Sequence, residues 1–407
     1  MRAPRKNSIL LRLALMAAVV SFAQILAQTP APRAAHRAGA QAGDFDSLSA
    51  RAKRALDADK LDEAIPLLRK ALAINPQWAE GWWSLGTTLY DENRFAEASL
   101  AFQKVVTLDP KHGTAHALLG LSEFEMDEDD AALKNIEESK SLGTDLDAQL
   151  RDVIMYHEGV LLQRKGLFVA AQKPLASLCL GGNRNPDVLR AFGMAALHMN
   201  GRRPPAAGTE ASGAVDIVGR GACLAAYKDF DASKEVFTQA IAQYSKFPFV
   251  HFAYGRELID AREIPAAVEQ FKIEASQSRE PVLSLLQIAA AEYKVDSQAG
   301  LPYAQQAVKL VPKMPFAHFL NGLLLMDTGE YEKAVPELEF AKKGMPNEPK
   351  VLWSLSSAYG HVGRLQDAAK VRAEFARLSA KQNQDTGSEN PEVQVNAREG
   401  ATQQPNN

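Results

Sequence analysis

The strongest constraint on this chain is a regular beat in its prolines and small residues. Pro76 and Pro110 stand 34 apart, and so do Pro312 and Pro346. Small residues keep the same interval: Ala64, Ala98 and Ala132; Gly86 and Gly120; Gly221 and Gly255; Ala334 and Ala368. Self-similarity at this period marks a solenoid of helix–turn–helix units, in which each unit buries its apolar face against its neighbours. One continuous core can then run through most of the 407 residues, so length does not convert into two or three separate globular domains.

The clearest unit runs from Ala79 to Pro110. Trp82, Leu85, Gly86 and Leu89 fall at i, i+3, i+4 and i+7, one face of a first helix. Asp91-Glu92-Asn93-Arg94 makes a turn, and Ala98, Phe102 and Val105 give a second helix its apolar stripe. Leu108-Asp109-Pro110 closes the unit, because proline cannot continue the preceding helix. Gly86 and Ala98 are small where two helices of one unit must cross closely.

This unit resembles the tetratricopeptide repeat family, whose pattern is W-x2-L-G-x2-Y…A-x3-F…P. Here it reads Trp82-x2-Leu85-Gly86-x2-Leu89, then Ala98-x3-Phe102 and Pro110, with Leu in place of the Tyr and Tyr90 one residue on. The resemblance implies an all-α, right-handed superhelical solenoid of about ten antiparallel helix pairs. Residues 315–346 and 248–280 are good copies, whereas those near 152–183 and 281–312 are looser, the latter with Ile288 at the glycine position. The last copy, 349–378, carries Arg372 and Arg377, as a terminal cap facing water would.

The beat stumbles once. Gly193 and Gly221 stand only 28 apart, and GRRPPAAGTEASG lies between them at 201–213. Adjacent prolines and repeated glycines cannot build a second helix, so this stretch reads as an exposed loop. It is either a hinge or docking loop, or the trace of a decayed repeat over which neighbours close. The expected organisation is a signal peptide at 1–23, a flexible linker at 24–44, an N-terminal block at 45–200, the loop, a C-terminal block at 214–378, and a disordered tail at 379–407.

Arg2, Arg5, Lys6 and Arg12 precede the apolar run Leu13–Val20 and the small-x-small signature Ser21-Phe22-Ala23, the pattern of a secretory signal. Even extended to Ala27 the run is shorter than a bilayer span of about 20 residues, so no membrane span is expected after cleavage. With no Cys near the cleavage point, a periplasmic or secreted protein is expected. Cleavage removes four cations and no acid, moving the formal charge from −3 to −7. That balance excludes the basic field nucleic acid requires. Cys179 and Cys223 are a candidate disulfide in an oxidising compartment and small buried hydrophobes in a reducing one.

Signatures of chemistry are missing. There is no phosphate loop and no nucleophile elbow. His157-Glu158 begins like a zinc helix, but Leu161 stands where the second His belongs. His112 and His116 are four apart, yet His116 occupies the slot of Trp82 and reads as packing. Asp127-Glu128-Asp129-Asp130 suggests calcium, but Ala131 and Ala132 replace the oxygen ligand and the turn glycine, and acids favour a helix N-terminus anyway. The expectation is a non-enzyme with no cofactor and no metal.

In the repeat family the first helices line a concave groove that holds ligands. Counting from the start of each unit, the groove slots are the second, fifth, ninth, twelfth and thirteenth. In this sequence they hold Trp83, Tyr90, Phe124, Tyr156, Phe249, Phe252, Tyr293, Phe316, Phe319 and Trp353, with Arg256, Asp260, Asp327 and His361 as polar company. Aromatics are enriched there nearly threefold over their 30 in 407. They either anchor a ligand or fill space between helices. The expected function is an exported scaffold binding a protein or peptide in the groove. The alternatives are a cell-envelope polysaccharide export or assembly factor that binds glycan, and a non-catalytic subunit of an enzyme complex.

Overall fold

A computed structural model of the chain describes residues 35–143 and 147–387, and every regular element among them is an α-helix. The chain divides into two compact units, residues 1–237 and 238–407. In the first, α1 (Ala35–Asp57) pairs with α2 (Leu61–Ile74), α3 (Ala79–Asp91) with α4 (Phe95–Leu108), α5 (Gly113–Glu125) with α6 (Asp129–Ser141), and α7 (Ala148–Arg164) with α8 (Phe168–Leu180). Then α9 (Pro186–Ala196) packs on α10 (Glu210–Ala226), and α11 (Phe230–Tyr244) follows. In the second unit the pairs are α12 (Val250–Asp260) with α13 (Ile264–Gln277), α14 (Val282–Glu292) with α15 (Ser297–Leu310), α16 (Pro315–Asp327) with α17 (Tyr331–Gly344), and α18 (Pro349–His361) with α19 (Leu365–Gly387).

The pairing follows from the small residues. A Cβ at Gly86 would come within 2.7 Å of the Phe102 ring, and one at Gly255 within 2.6 Å of Phe271. Only glycine lets each first helix lie that close to the aromatic of its second helix. Between helices the chain reverses through a left-handed residue, Asn93 (φ 57°) and Asp127 (φ 63°) in one unit, Gly329 and Gly363 in the other. These turns close by six-residue bonds, Arg94 N–H to Leu89 O and Glu128 N–H to Glu123 O, both 2.9 Å, which satisfy carbonyls the helix end leaves open. The sequence period is thus written in the turns as well as in the packing.

The fourth slot holds another recurring clasp. Trp82 Nε1 donates to Pro76 O at 2.9 Å, and His116 Nε2 and His318 Nε2 lie 3.1 and 3.0 Å from Pro110 O and Pro312 O. In each case the ring reaches back to the proline that ended the preceding unit. The histidines also reach their second helices, His116 Nδ1 to Asn135 Oδ1 at 3.1 Å and His318 Nδ1 to Glu337 Oε2 at 2.6 Å.

Boundaries differ from the sequence expectation at three places. Helix α1 starts at Ala35, inside the expected linker, because Ala-rich AHRAGAQAGD has adequate helix propensity. Helix α19 runs to Gly387 through residues expected in the tail, since Ala380, Lys381 and Gln382 favour helix. Helix α10 starts at Glu210, where Thr209 Oγ1 accepts from Ser212 N–H at 3.2 Å and caps it, so the loop ends before Gly213. The expected signal at 1–23 and the residues after 387 lie outside the described residues.

Candidate functional site

The fifth slot of the first helices separates packing from exposure. Trp83, Phe252 and Phe319 are 5%, 4% and 6% exposed. Trp83 stacks on His112 of the next pair at 5.0 Å and meets Phe102 edge-on at 5.8 Å; Phe252 leans on Phe271 at 5.6 Å. Trp83 thus fills space between its pair and the next, and Phe252 packs within its own pair. Trp353 occupies the same slot in α18, and it is 58% exposed, resting on Phe375 of α19 at 5.7 Å. Among the described residues no further pair follows α18 and α19 to cover it.

The other expected groove residues divide as follows. Phe316 is 47% exposed on α16 and touches Phe319 at a centroid distance of 6.4 Å. Phe249, Arg256 and Tyr293 are half-buried. Phe249 takes a left-handed conformation (φ 67°) at the start of α12 and packs edge-on against Phe252 at 5.7 Å; Lys294 lies over the Tyr293 ring at 5.2 Å. In the first unit Tyr90 is half-buried against Phe95, and burial beside Glu125 and Asp91 drives its phenol far above the usual range. The Arg164 guanidinium lies over the Phe124 ring at 4.3 Å, and His157 meets that ring edge-on at 4.5 Å and in turn meets Tyr156 at 5.1 Å. The first-unit aromatics therefore join neighbouring helices, and of the expected groove rings the most exposed are Phe316 on α16 and Trp353 on α18.

Two polar residues expected on that face are engaged. Asp327 pairs with Lys294 and accepts from Ser297 Oγ at 2.5 Å, which holds its carboxyl below the usual range. His361 stacks on Tyr331 with centroids 4.0 Å apart and rings nearly parallel. Asp260 is exposed. Near the start of α12 the carboxylate of Glu274, 5% exposed on α13, accepts from Phe249 N–H at 2.9 Å and Phe252 N–H at 3.3 Å. This buried acid caps α12 from the second helix, a contact that nothing local in the sequence signals.

The acidic run and the Pro/Gly loop explain each other. Arg164 Nη1 donates to Asp129 Oδ1 at 2.9 Å, Lys165 pairs with Asp130, and Arg202 from the loop reaches Asp127 at 2.8 Å and Asp129 at 3.3 Å. Gln163, almost fully buried, donates to the carbonyls of Met199 and Gly201, the latter at 3.3 Å. The start of the loop is thus tied to the α5–α6 turn and to the end of α7, across 75 residues of sequence in the case of Arg202 and Asp127. No group of three or more metal-binding side chains occurs among the described residues. His112 Nδ1 accepts from Ala115 N–H at 3.2 Å as the cap of α5, and its pKa is lowered by burial.

Cys179 on α8 and Cys223 on α10 form a disulfide, with both side chains buried. No helix among the described residues is long and apolar enough to cross a membrane.

Helix pairs crossing on glycine, left-handed turns at a fixed interval and rings clasping the preceding proline define a tetratricopeptide-type array. The tetratricopeptide repeat family matches residues 55–121, which run from the end of α1 through α2, α3 and α4 into α5. No curated protein matches the chain. Solved structures similar to this chain include MamA, 19% identical over 40% of this chain and 96% of its own, at a TM-score of 0.38. They also include YrrB, described as a TPR protein with an unusual peptide-binding site, 15% identical over 40% of this chain and 84% of its own, at 0.36. Yeast Tom70 is 12% identical over 84% of this chain and 89% of its own, at 0.33.

Proposed function

We propose that this protein is a non-catalytic, exported scaffold that holds a segment of a partner protein against the first-helix face of residues 238–387. The observation that carries the reading is the pair Phe316 and Trp353, 47% and 58% exposed on α16 and α18. Rings of this size held in water are anchors whose burial a partner's apolar side chains would complete. Phe249, Arg256 and Tyr293 widen the contact surface. Phe252 and Phe319 brace it from the packed layer, as Trp83, Tyr90, Phe124 and Tyr156 brace the first unit.

Export is supported by the charged, apolar and small-residue pattern of residues 1–23, and by a disulfide that an oxidising compartment would preserve. A photo-reactive phenylalanine analogue placed at position 316 in the producing cell tests the reading. The expected result is a discrete protein adduct at 316 and none from the same probe at Leu100, which is 69% exposed on α4. A polysaccharide adduct at 316, or equal labelling at both positions, would reject it.

A further inference from the structure

In six pairs the first-helix glycine faces a residue 16 positions later on the second helix, as Gly86 faces Phe102 and Gly221 faces Phe237. Gly193 on α9 breaks this rule. At the equivalent position after it stands Thr209, which caps α10 and belongs to no second helix. Instead α10 itself lies against Gly193, so tightly that a Cβ there would come within 2.1 Å of Val215 O. Reciprocally, a Cβ at Gly219 would come within 2.0 Å of Leu189 O.

One helix therefore serves two pairs. Gly219 faces α9 while Gly221 faces α11, and two residues are roughly 200° apart around a helix. This double use shortens the interval to 28 and omits one helix. It also brings α10 against α8, where Cys179 and Cys223 are joined. Around the disulfide, Arg184 Nη1 donates to Cys179 O at 2.7 Å and its guanidinium lies over the Tyr227 ring at 5.0 Å. The opposite end of the segment is held by Gln163 and by the exposed ion pairs of Arg202, and such pairs are individually weak in water.

We infer that the Cys179–Cys223 disulfide stands in for the omitted helix, making α8–α10 a redox-dependent joint in which the covalent link supplies what a missing packing layer would. A dithiol such as dithiothreitol is the reductant. Its thiolate attacks one cysteine sulfur, the S–S bond breaks and the other cysteine leaves as thiolate. The reductant's second thiol then displaces the first cysteine, so that two electrons and two protons pass to the protein and the reductant becomes a cyclic disulfide. With both sulfurs buried, attack requires α8 and α10 to part first.

Hydrogen exchange on the full chain, oxidised and then reduced by dithiothreitol, tests this. The link spans 44 residues, and releasing a loop of that length is expected to lower protection in α8, α9 and α10 about a thousandfold. Protection in α3–α4 and in α16–α19 should stay unchanged, and re-oxidation should restore the original pattern. Cys179→Ser with Cys223→Ser should reproduce the reduced pattern without reductant. Unchanged protection in α8–α10 would overturn the inference. So would a uniform loss along the chain, or alkylation of both thiols in the native protein before any reductant is added.

Discussion

Phe319 and Trp353 occupy the same slot of successive pairs, so replacing each by alanine asks what that slot does. Phe319 is 6% exposed and sits in the core shared by α14–α19. Truncating a buried phenylalanine costs about 3–5 kcal/mol, through lost transfer energy and the cavity left behind. Trp353 is 58% exposed, so only about two fifths of a side chain of roughly 250 Å² is withdrawn from water; at about 25 cal/mol per Å² its truncation costs about 2–3 kcal/mol. Thermal unfolding followed by circular dichroism at 222 nm resolves the two. At roughly 2–4 °C per kcal/mol for a unit of this size, Phe319→Ala should lower the second unit's Tm by roughly 6–20 °C and Trp353→Ala by roughly three fifths as much. Equal losses would refute the reasoning, because they would mean that Trp353 is packed like its counterpart and has no surface to offer a partner.

Gly193→Ala should destabilise the first unit by roughly 1–3 kcal/mol, since the new methyl meets the Val215 carbonyl and the obstacle is backbone; urea unfolding checks this, and a neutral result would contradict the close crossing of α9 and α10. Arg202→Ala should change global stability by less than about 1 kcal/mol, yet it should speed limited proteolysis between Gly201 and Gly208, and high salt should do the same to the wild type. The carboxyl of Asp327, held below the ordinary 3.8 by Lys294 and Ser297, contributes stability that is present above the unfolded value and lost as pH falls through the folded one. Asp327→Asn should therefore cost up to about 1 kcal/mol at neutral pH and nothing once the acid is protonated, read from urea midpoints at both pH values.

The helix pairs were legible in the sequence because their causes are local. A glycine matched to an aromatic at a fixed offset, a proline after each second helix and a polar turn between helices all follow from chain geometry and crossing distance. The fifth-slot aromatics were legible as a set but not as individuals, because whether such a ring is buried depends on the pair that follows it. Phe319 has α18 and α19 after it, whereas Trp353 has only its own second helix. The ties of Arg202 to Asp127 and of Glu274 to the start of α12 were not legible at all, since long-range partners leave no periodic trace. The shortened interval between Gly193 and Gly221 was visible, but its cause, a helix shared by two pairs, appears only when Gly219 and Gly221 are seen on opposite sides of α10.

Binding of a partner segment by Phe316 and Trp353 is measured most directly as the affinity of the cross-linked segment for the intact chain and for the Phe316→Ala, Trp353→Ala double variant. Trp78, Trp82 and Trp83 also emit in the intact chain, so Trp353 is followed by fluorescence in a chain with those three replaced by phenylalanine, with calorimetry for the wild type and the double variant. Anchors of this kind each carry about 2 kcal/mol or more, so Kd should rise at least a few hundredfold. Trp353 emission should shift to shorter wavelength as the ring is covered. An unchanged Kd in a double variant that remains folded, or a Trp353 emission that ignores a saturating segment, would contradict the account.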